Sequence, residues 1–403
     1  VTSLPVRFDE LWSSLLPLGR HPQTGGYRRY AWTTADAALR SWFRDQAAVR
    51  GLAYGQDRNG NQWAWWGEPA ADAVVTGSHL DSVPDGGAFD GPLGVVSGFL
   101  AIDELRARGL VPAKPIAVVN FADEEGARFG VACVGSRLMT GVLAPEQARS
   151  LRDASGTTLE QAVTAAGVDA ASIGCDDEAL ARIGVFVELH VEQGRALADL
   201  DAAVGVATAI WPHGRWRCTF RGEGNHAGTT RLVDRRDPML PYAATVLAAR
   251  DIAFELGAVA TFGKVQVEPN GTNAIASGVH GWLDARGADD ATVRELVAGI
   301  TAAAAQSASA HGVEVEVVCE SSTPEVAFGA ALRDRLAAVL GGVPALPTGA
   351  GHDAGILSAV VPTAMLFVRN PSGVSHSPHE QASADDCVAG VLALALVLED
   401  LSR

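Results

Sequence analysis

Four short strings carry the side chains best suited to holding a divalent cation. Gly77-Ser78-His79-Leu80-Asp81 follows an apolar run, and Asp90 stands eleven residues after His79 in a glycine-rich loop. Ala122-Asp123-Glu124-Glu125-Gly126 follows the next apolar run, Phe186-Val187-Glu188-Leu189-His190 closes a third, and Gly373-Val374-Ser375-His376 follows a fourth. Imidazole and carboxylate together suit zinc or manganese. At a two-metal hydrolytic site one carboxylate bridges the ions and a water occupies the gap between them. On this reading His79 pairs with Glu125 or His190, His376 takes the other, and both sets gather around Asp90. Asp81, two residues past His79, is placed to accept the second imidazole N–H and so fix the tautomer. Neighbouring side chains on an extended strand point to opposite sides, so only one of Glu124 and Glu125 ligates. The other acts as general base toward the water.

Each piece has a plainer explanation when taken alone. A single His79 or His190 is more often a hydrogen-bonded core or surface histidine than a ligand. Glu124-Glu125 reads as a solvated acidic pair, and Asp90 beside Gly91-Pro92 as a turn residue. Their joint occurrence at the ends of apolar strands outweighs these explanations, because chance histidines fall on helices and loops as well.

The elements that must position these groups follow from periodicity. Phe8 to Leu18 and Ala35 to Arg50 have helical apolar spacing, the second with a capping start at Thr33-Thr34-Ala35-Asp36. Gln62 to Trp66 and Ala73 to Ser78 read as strands, Pro92 to Leu105 as a helix, and Pro115 to Phe121 as a buried strand. This order argues for an α/β sheet with its site at the strand ends. From about Pro212 the texture changes. Strands over Arg215 to Gly222, Ala258 to Glu268, Gly278 to Arg286 and Val313 to Glu320 alternate with helices over Pro238 to Leu256 and Asp290 to His311. That is the split-βαβ, ferredoxin-like order, which closes on itself and suits an inserted domain. After Pro324 the α/β texture returns, with a strand over Thr363 to Arg369 and a helix over Asp385 to Leu398. The expected domains are residues 1–211 with 324–403, which bind metal, and 212–323 between them.

At 403 residues two domains are the natural expectation. The five cysteines are scattered without CxxC spacing, which excludes a disulfide framework and a thiolate zinc site. A formal charge of −16 without a Lys/Arg block excludes nucleic acid and an anionic membrane surface as partners. No apolar stretch is long enough to span a bilayer, and the start lacks the blocks of a secretory signal, so a cytoplasmic protein is expected. Gly222-Glu223-Gly224-Asn225-His226-Ala227 fits the loose dinucleotide pattern. It is rejected because no apolar helix follows and no acid-ended strand lies about twenty residues on. A GxSxG elbow and the PCxxC deaminase signature are absent.

The strings in order resemble the M20 metallopeptidase-like family, and specifically its ureido-hydrolase branch. That branch holds N-carbamoyl-L-amino-acid hydrolases, β-ureidopropionases and allantoate amidohydrolases. The matching strings are Gly77 to Val83, Asp90-Gly91, Glu124 to Phe129, Glu188 to Gly194, Asn225 to Thr230, Arg235-Arg236-Asp237, Gly349 to Ala354 and Gly373 to Pro378. The resemblance implies a zinc-peptidase-like catalytic domain with a mixed sheet and an inserted ferredoxin-like lid and dimerisation domain. It implies His79, Asp90, Glu125, His190 and His376 as ligands of two divalent ions, with Asp90 bridging and Glu124 as base. Zinc, manganese, cobalt and nickel all accept such a set. Peptidase members typically carry an acid at the His190 position. His379 is a rival for His376, which the Ser-His-x-Pro string favours.

The same resemblance implies that His226 stabilises the oxyanion, Asn273 and Gln193 contact the substrate, and Arg286 holds its carboxylate. It implies a homodimer joined through the lids, with lid residues such as His226 able to act on the neighbouring subunit. The expected substrate is allantoate or an N-carbamoyl-L-amino acid. An aminoacylase or dipeptidase of the same fold, and a non-catalytic small-acid binding protein, are the rivals. Three departures from the family pattern bear on substrate choice: Arg231 stands where proline is usual, Ser277 near a position often occupied by proline, and Gly287 where histidine is common.

Overall fold

The computed structural model describes residues 2–403, which form two compact units, residues 2–208 with Ala327–Arg403, and Ala209–Val326. In the first unit a mixed sheet runs in the order Ala53–Gln56, Gln62–Trp66, Ile116–Phe121, Ala73–His79, Ile183–Val191, Thr363–Val368, Val204–Ile210, Val326–Ala327, with Ala345–Thr348 also pairing on Val204–Ile210. The four strands from Ile116–Phe121 to Thr363–Val368 are mutually parallel, and the neighbours on either side run antiparallel. Ala73–His79, Ile116–Phe121 and Thr363–Val368 are buried at every residue, which is why they read as unbroken apolar runs.

The helix Pro92–Ala107 connects the two parallel strands Ala73–His79 and Ile116–Phe121, starting with proline in its first turn. It is buried on nearly all sides and packs against the C-terminal helix Ala384–Leu401, which Ser383 caps by accepting the Asp386 N–H. Phe99 and Leu394 are fully buried in this layer, each contributing about 1.5–3 kcal/mol by leaving water. The first helix spans Leu4–Leu15, not Phe8 to Leu18. Pro5 suits a first helical turn and Pro17 cannot continue one, so the whole element lies earlier than apolar spacing suggested. Among the described residues no helix is long and apolar enough to cross a membrane.

The second unit is a four-stranded antiparallel sheet in the order Glu314–Thr323, His213–Arg221, Gly278–Arg286, Val259–Glu268. Helices Met239–Glu255 and Asp290–Ala310 pack beside each other on it. This is the ferredoxin-like order that the strand and helix alternation predicts. A two-residue pairing of Asn225–His226 with Ala274–Ile275 lies beyond the sheet's Gly278 end.

Candidate active site

The expected ligands meet at the carboxyl ends of the four parallel strands. His79 ends its strand and is 1% exposed. Its Nε2 lies 3.5 Å from Asp90 Oδ1, and His190 Nε2 lies 3.2 Å from the same oxygen. On the other side His376 Nε2 is 3.3 Å from Asp90 Oδ2 and 3.7 Å from Glu125 Oε2. The ligand atoms therefore form two groups, His79 with Asp90 and His190, and Asp90 with Glu125 and His376, each within 4.8 Å. This resolves the pairing that spacing left open: His190 goes with His79, and Glu125 with His376. His379 belongs to neither group, and its imidazole turns to the Ser377 hydroxyl.

These residues fit divalent ions. Two ligands about 2.1 Å from a tetrahedral ion sit roughly 3.4 Å apart, close to the separations found. His190 Nε2 is buried and makes no hydrogen bond despite its closeness to Asp90, as expected for atoms that face a common ion rather than one another. The site also carries more acid than base. Burial pushes Glu124 well above the usual carboxylate range, against the pull of His79 and with repulsion from Asp353, Glu125 and Asp81. Burial and then Asp90 push Glu125 up to about 7. His376 is raised to about 9, chiefly by its hydrogen bond to Asp90. Cations at this place would relieve that excess of negative charge. A third cluster, Glu188, His190 and His352, is less suited. The Glu188 oxygens already accept from Ser78 Oγ at 2.7 Å and the Ala354 N–H at 3.0 Å.

Glycine shapes the approach to His79. Gly91 has φ +82°, and a Cβ there would lie 2.4 Å from the His79 ring. Only glycine lets the Asp90 loop pass this close beneath the imidazole.

Two local expectations need correction. Glu124 and Glu125 lie on a bend rather than an extended strand, because Asp123 before them has φ +56°. Alternation therefore does not apply, and both carboxylates reach the cluster, Glu124 Oε2 at 3.7 Å from His79 Nε2 and Glu125 Oε2 beside His376. Asp81 does hold His79, but its own carbonyl lies nearer Nδ1, at 3.2 Å, than its carboxylate at 3.5 Å. The carboxylate is engaged elsewhere, accepting the Glu124 N–H at 3.1 Å and the Glu125 N–H at 3.0 Å. Asp81 thus ties the His79 strand end to the Glu124–Glu125 bend.

Gln193 Nε2 donates to Asp90 Oδ2 at 2.7 Å and lies 3.3 Å from His376 Nε2. In the inserted unit, His226 Nδ1 accepts the Gly228 and Thr229 N–H groups at 3.0 and 3.2 Å. The proton of a neutral imidazole then resides on Nε2, leaving that atom as the donor. Asn273 lies beside it, its carbonyl accepting the Ala227 N–H. Arg286 is not in this group. It closes the nine-residue strand that begins at Gly278, beside the His226 pairing. At ~3.3 Å per residue the two places are roughly 26 Å apart. Arg286 pairs with Asp284 through Nε at 2.7 Å. Gly287 has a local reason to lack a side chain, since a Cβ would meet Thr292 Cγ2 at 2.9 Å. Arg231 bonds Asp234 at the start of a short 3₁₀ turn.

The structure adds three groups that have no role in the sequence reading. His352 is 3% exposed and packs edge-on to His190 at 4.5 Å, with its Nε2 buried and unbonded. Burial and then His190 hold it well below the usual imidazole range. Glu380 accepts the Phe89 and Asp90 N–H groups at 2.8 and 3.1 Å, which anchors the backbone of the shared carboxylate. Cys133 places its thiol 3.2 Å from Glu124 Oε1. His352 lies inside a quoted string and Glu380 four residues past His376. No sequence signal marks Cys133.

Residues 75–400 match the model of peptidase family M20/M25/M40. An N-carbamoyl-L-amino acid amidohydrolase of Geobacillus stearothermophilus is 35% identical over 96% of both chains. An allantoate amidohydrolase of Escherichia coli K12 is 30% identical over 100% of this chain and 99% of its own. A solved amidase of the hydantoinase/carbamoylase family from Burkholderia multivorans superposes with a TM-score of 0.87 at 32% identity, covering 99% of this chain and 98% of that one.

Proposed function

The chain belongs to peptidase family M20/M25/M40, and we propose that it hydrolyses the C–N bond of a small ureido acid, an N-carbamoyl-L-amino acid or allantoate. The observation that carries this is the sharing of Asp90 between two ligand groups with the Glu124 carboxylate beside one of them. The family is metal-dependent. Two divalent ions held by His79, Asp90 and His190 and by Asp90, Glu125 and His376 would polarise the substrate carbonyl and make water more acidic. Glu124 accepts a proton as water attacks the carbamoyl carbon, then passes it to the leaving nitrogen as the C–N bond breaks. Asp81 holds the backbone of Glu124 and Glu125 in place for this. The products of a ureido substrate are an amine acid, ammonia and carbon dioxide.

The inserted unit supplies substrate contacts and a dimerisation surface. His226 donates from Nε2 to the developing oxyanion, Asn273 and Gln193 bind substrate polar groups, and the Arg286 fork takes the carboxylate. One small acid cannot reach both His226 and Arg286 of a single chain across the length of the Gly278–Arg286 strand. A homodimer answers this, with His226 and Arg286 meeting one substrate from different chains. Leu240, Leu247 and Phe254, spaced seven apart on the helix Met239–Glu255, are 51%, 66% and 83% exposed and support a partner-facing stripe.

The test is ammonia release from allantoate, ureidopropionate and several N-carbamoyl-L-amino acids by metal-supplemented wild type and Glu124→Gln. Wild type should release ammonia, and E124Q should lose on the order of 10²–10⁴ in turnover while keeping its metal. Free amino acid from N-acyl substrates without ammonia from ureido ones would instead mark an aminoacylase. Unchanged turnover in E124Q would end the proposal.

A further inference from the structure

We infer that Cys133 is a positioning residue for the base, its thiol fixing one oxygen of Glu124 so that the other faces His79. This rests on the reading of Glu124 given above. Three consecutive amides at the start of the helix Val134–Met139 return to the base segment. Gly135 N–H donates to Ala122 O at 2.9 Å, Val134 N–H to Asp123 O at 3.0 Å, and Cys133 N–H to Glu124 O at 2.6 Å. This backbone pairing sets the direction of the Cys133 side chain, which is 4% exposed. Its thiol donates to Glu124 Oε1 at 3.2 Å, the one hydrogen bond to that carboxylate among the described residues. Glu124 Oε2 is left 3.7 Å from His79 Nε2. A buried cysteine is ordinarily a small apolar filler, but here its sulfur is directed at a carboxylate.

The choice of sulfur matters chemically. A thiol is a weak donor. It can hold a rotamer while drawing off little of the negative charge that a proton acceptor needs. Burial and then Glu124 push the Cys133 thiol well above its usual range, so it keeps the proton it donates. Without the thiol, Oε1 loses its tether and the carboxylate can rotate about its last bond. A misplacement of about 1 Å is enough to cost up to a hundredfold in rate.

The test compares Cys133→Ala and Cys133→Ser holoenzymes with wild type. C133A should lower kcat on the order of tenfold with KM unchanged, and C133S, whose hydroxyl can donate to the same oxygen, should recover most of it. An activity-free readout is the S–H stretching band in the infrared, isolated from the other cysteines by subtracting the C133S counterpart of each protein. The Cys133 band should move to higher wavenumber in E124Q, because an amide oxygen is a weaker acceptor than a carboxylate. A band at the same position in wild type and E124Q would overturn the inference and leave the base reading intact. Wild-type kcat in C133A would overturn it as well. Wild-type turnover in E124Q would sink the base reading and this inference with it. If C133A fails to fold, the infrared comparison alone decides.

Discussion

The two halves of the proposed site are built on opposite terms. In the first unit His79 and His190 are at most 1% exposed, and the ligands follow the ends of four neighbouring parallel strands of one mixed sheet. In the inserted unit His226 is exposed on a two-residue strand, and Arg286 stands at the far end of the sheet. In the first half, burial of His79 and His190 and the backbone N–H groups that the Asp81 and Glu380 carboxylates accept pre-position the side chains. On the proposed reading the first half carries the hydrolytic chemistry, and the second is left unfinished for a partner chain to complete.

That contrast breaks most severely at Asp90. Asp90→Ala removes the carboxylate common to both ligand groups. Elemental analysis should find both ions lost and turnover abolished, with secondary structure by circular dichroism retained. Retention of one tightly held ion would show that the two groups are less dependent on each other than their geometry implies.

Mixing tests the unfinished half. His226→Ala should lose roughly 10²–10³ in kcat. Arg286→Ala should chiefly raise KM, by roughly tenfold to a hundredfold, as expected for losing a charged hydrogen bond. If the two groups serve one substrate from different chains, co-assembled H226A and R286A restore one intact site per heterodimer. Random pairing then recovers about a quarter of wild-type activity. No recovery on mixing would place both groups on the same chain's site or remove one from it. Leu247→Glu sharpens the same point. If the stripe of Leu240, Leu247 and Phe254 joins two copies, sedimentation should show a dimer in wild type and its loss in the variant, and activity should fall with it even though residue 247 lies outside the proposed chemistry.

The smallest effect concerns burial itself. Burial pushes Asp36 up to about 6, against Arg40 and the Trp32 N–H that it accepts. A carboxyl raised on folding contributes its full stability only below its unfolded pKa of about 4, and that contribution is lost as pH rises through 6. The Tm of wild type should therefore fall between about pH 4 and 6 relative to Asp36→Asn, and parallel curves would show that Asp36 stays ionised.

Much of this was legible in the chain before it folded. Buried parallel strands announce themselves as unbroken apolar runs, so the residues just past Ser78, Phe121 and Leu189 could be located directly. The alternation of strand and helix after Pro212 declared the order of the inserted unit. Pairings between distant elements were not legible. Whether His79 shares an ion with Glu125 or His190 depends on which strands are neighbours, and residues 79 and 190 meet only because Ala73–His79 and Ile183–Val191 lie side by side. The premise of an extended strand at Glu124–Glu125 failed because one residue, Asp123, leaves that region, and nothing in its type requires that, though only Glu125 joins a ligand group. Cys133 gave no sign at all, since its partner is chosen by a returning loop.

The amino-acid order alone settled which residue types stand at strand ends, and hence that a cation-assisted hydrolysis was the chemistry to look for. Periodicity and side-chain type are local properties, readable within a few residues. The folded chain decided which imidazole shares which carboxylate, that both glutamates face inward, and that His226 and Arg286 lie at opposite ends of one sheet. Those are distances between segments far apart in the chain, and only strand register and packing set them.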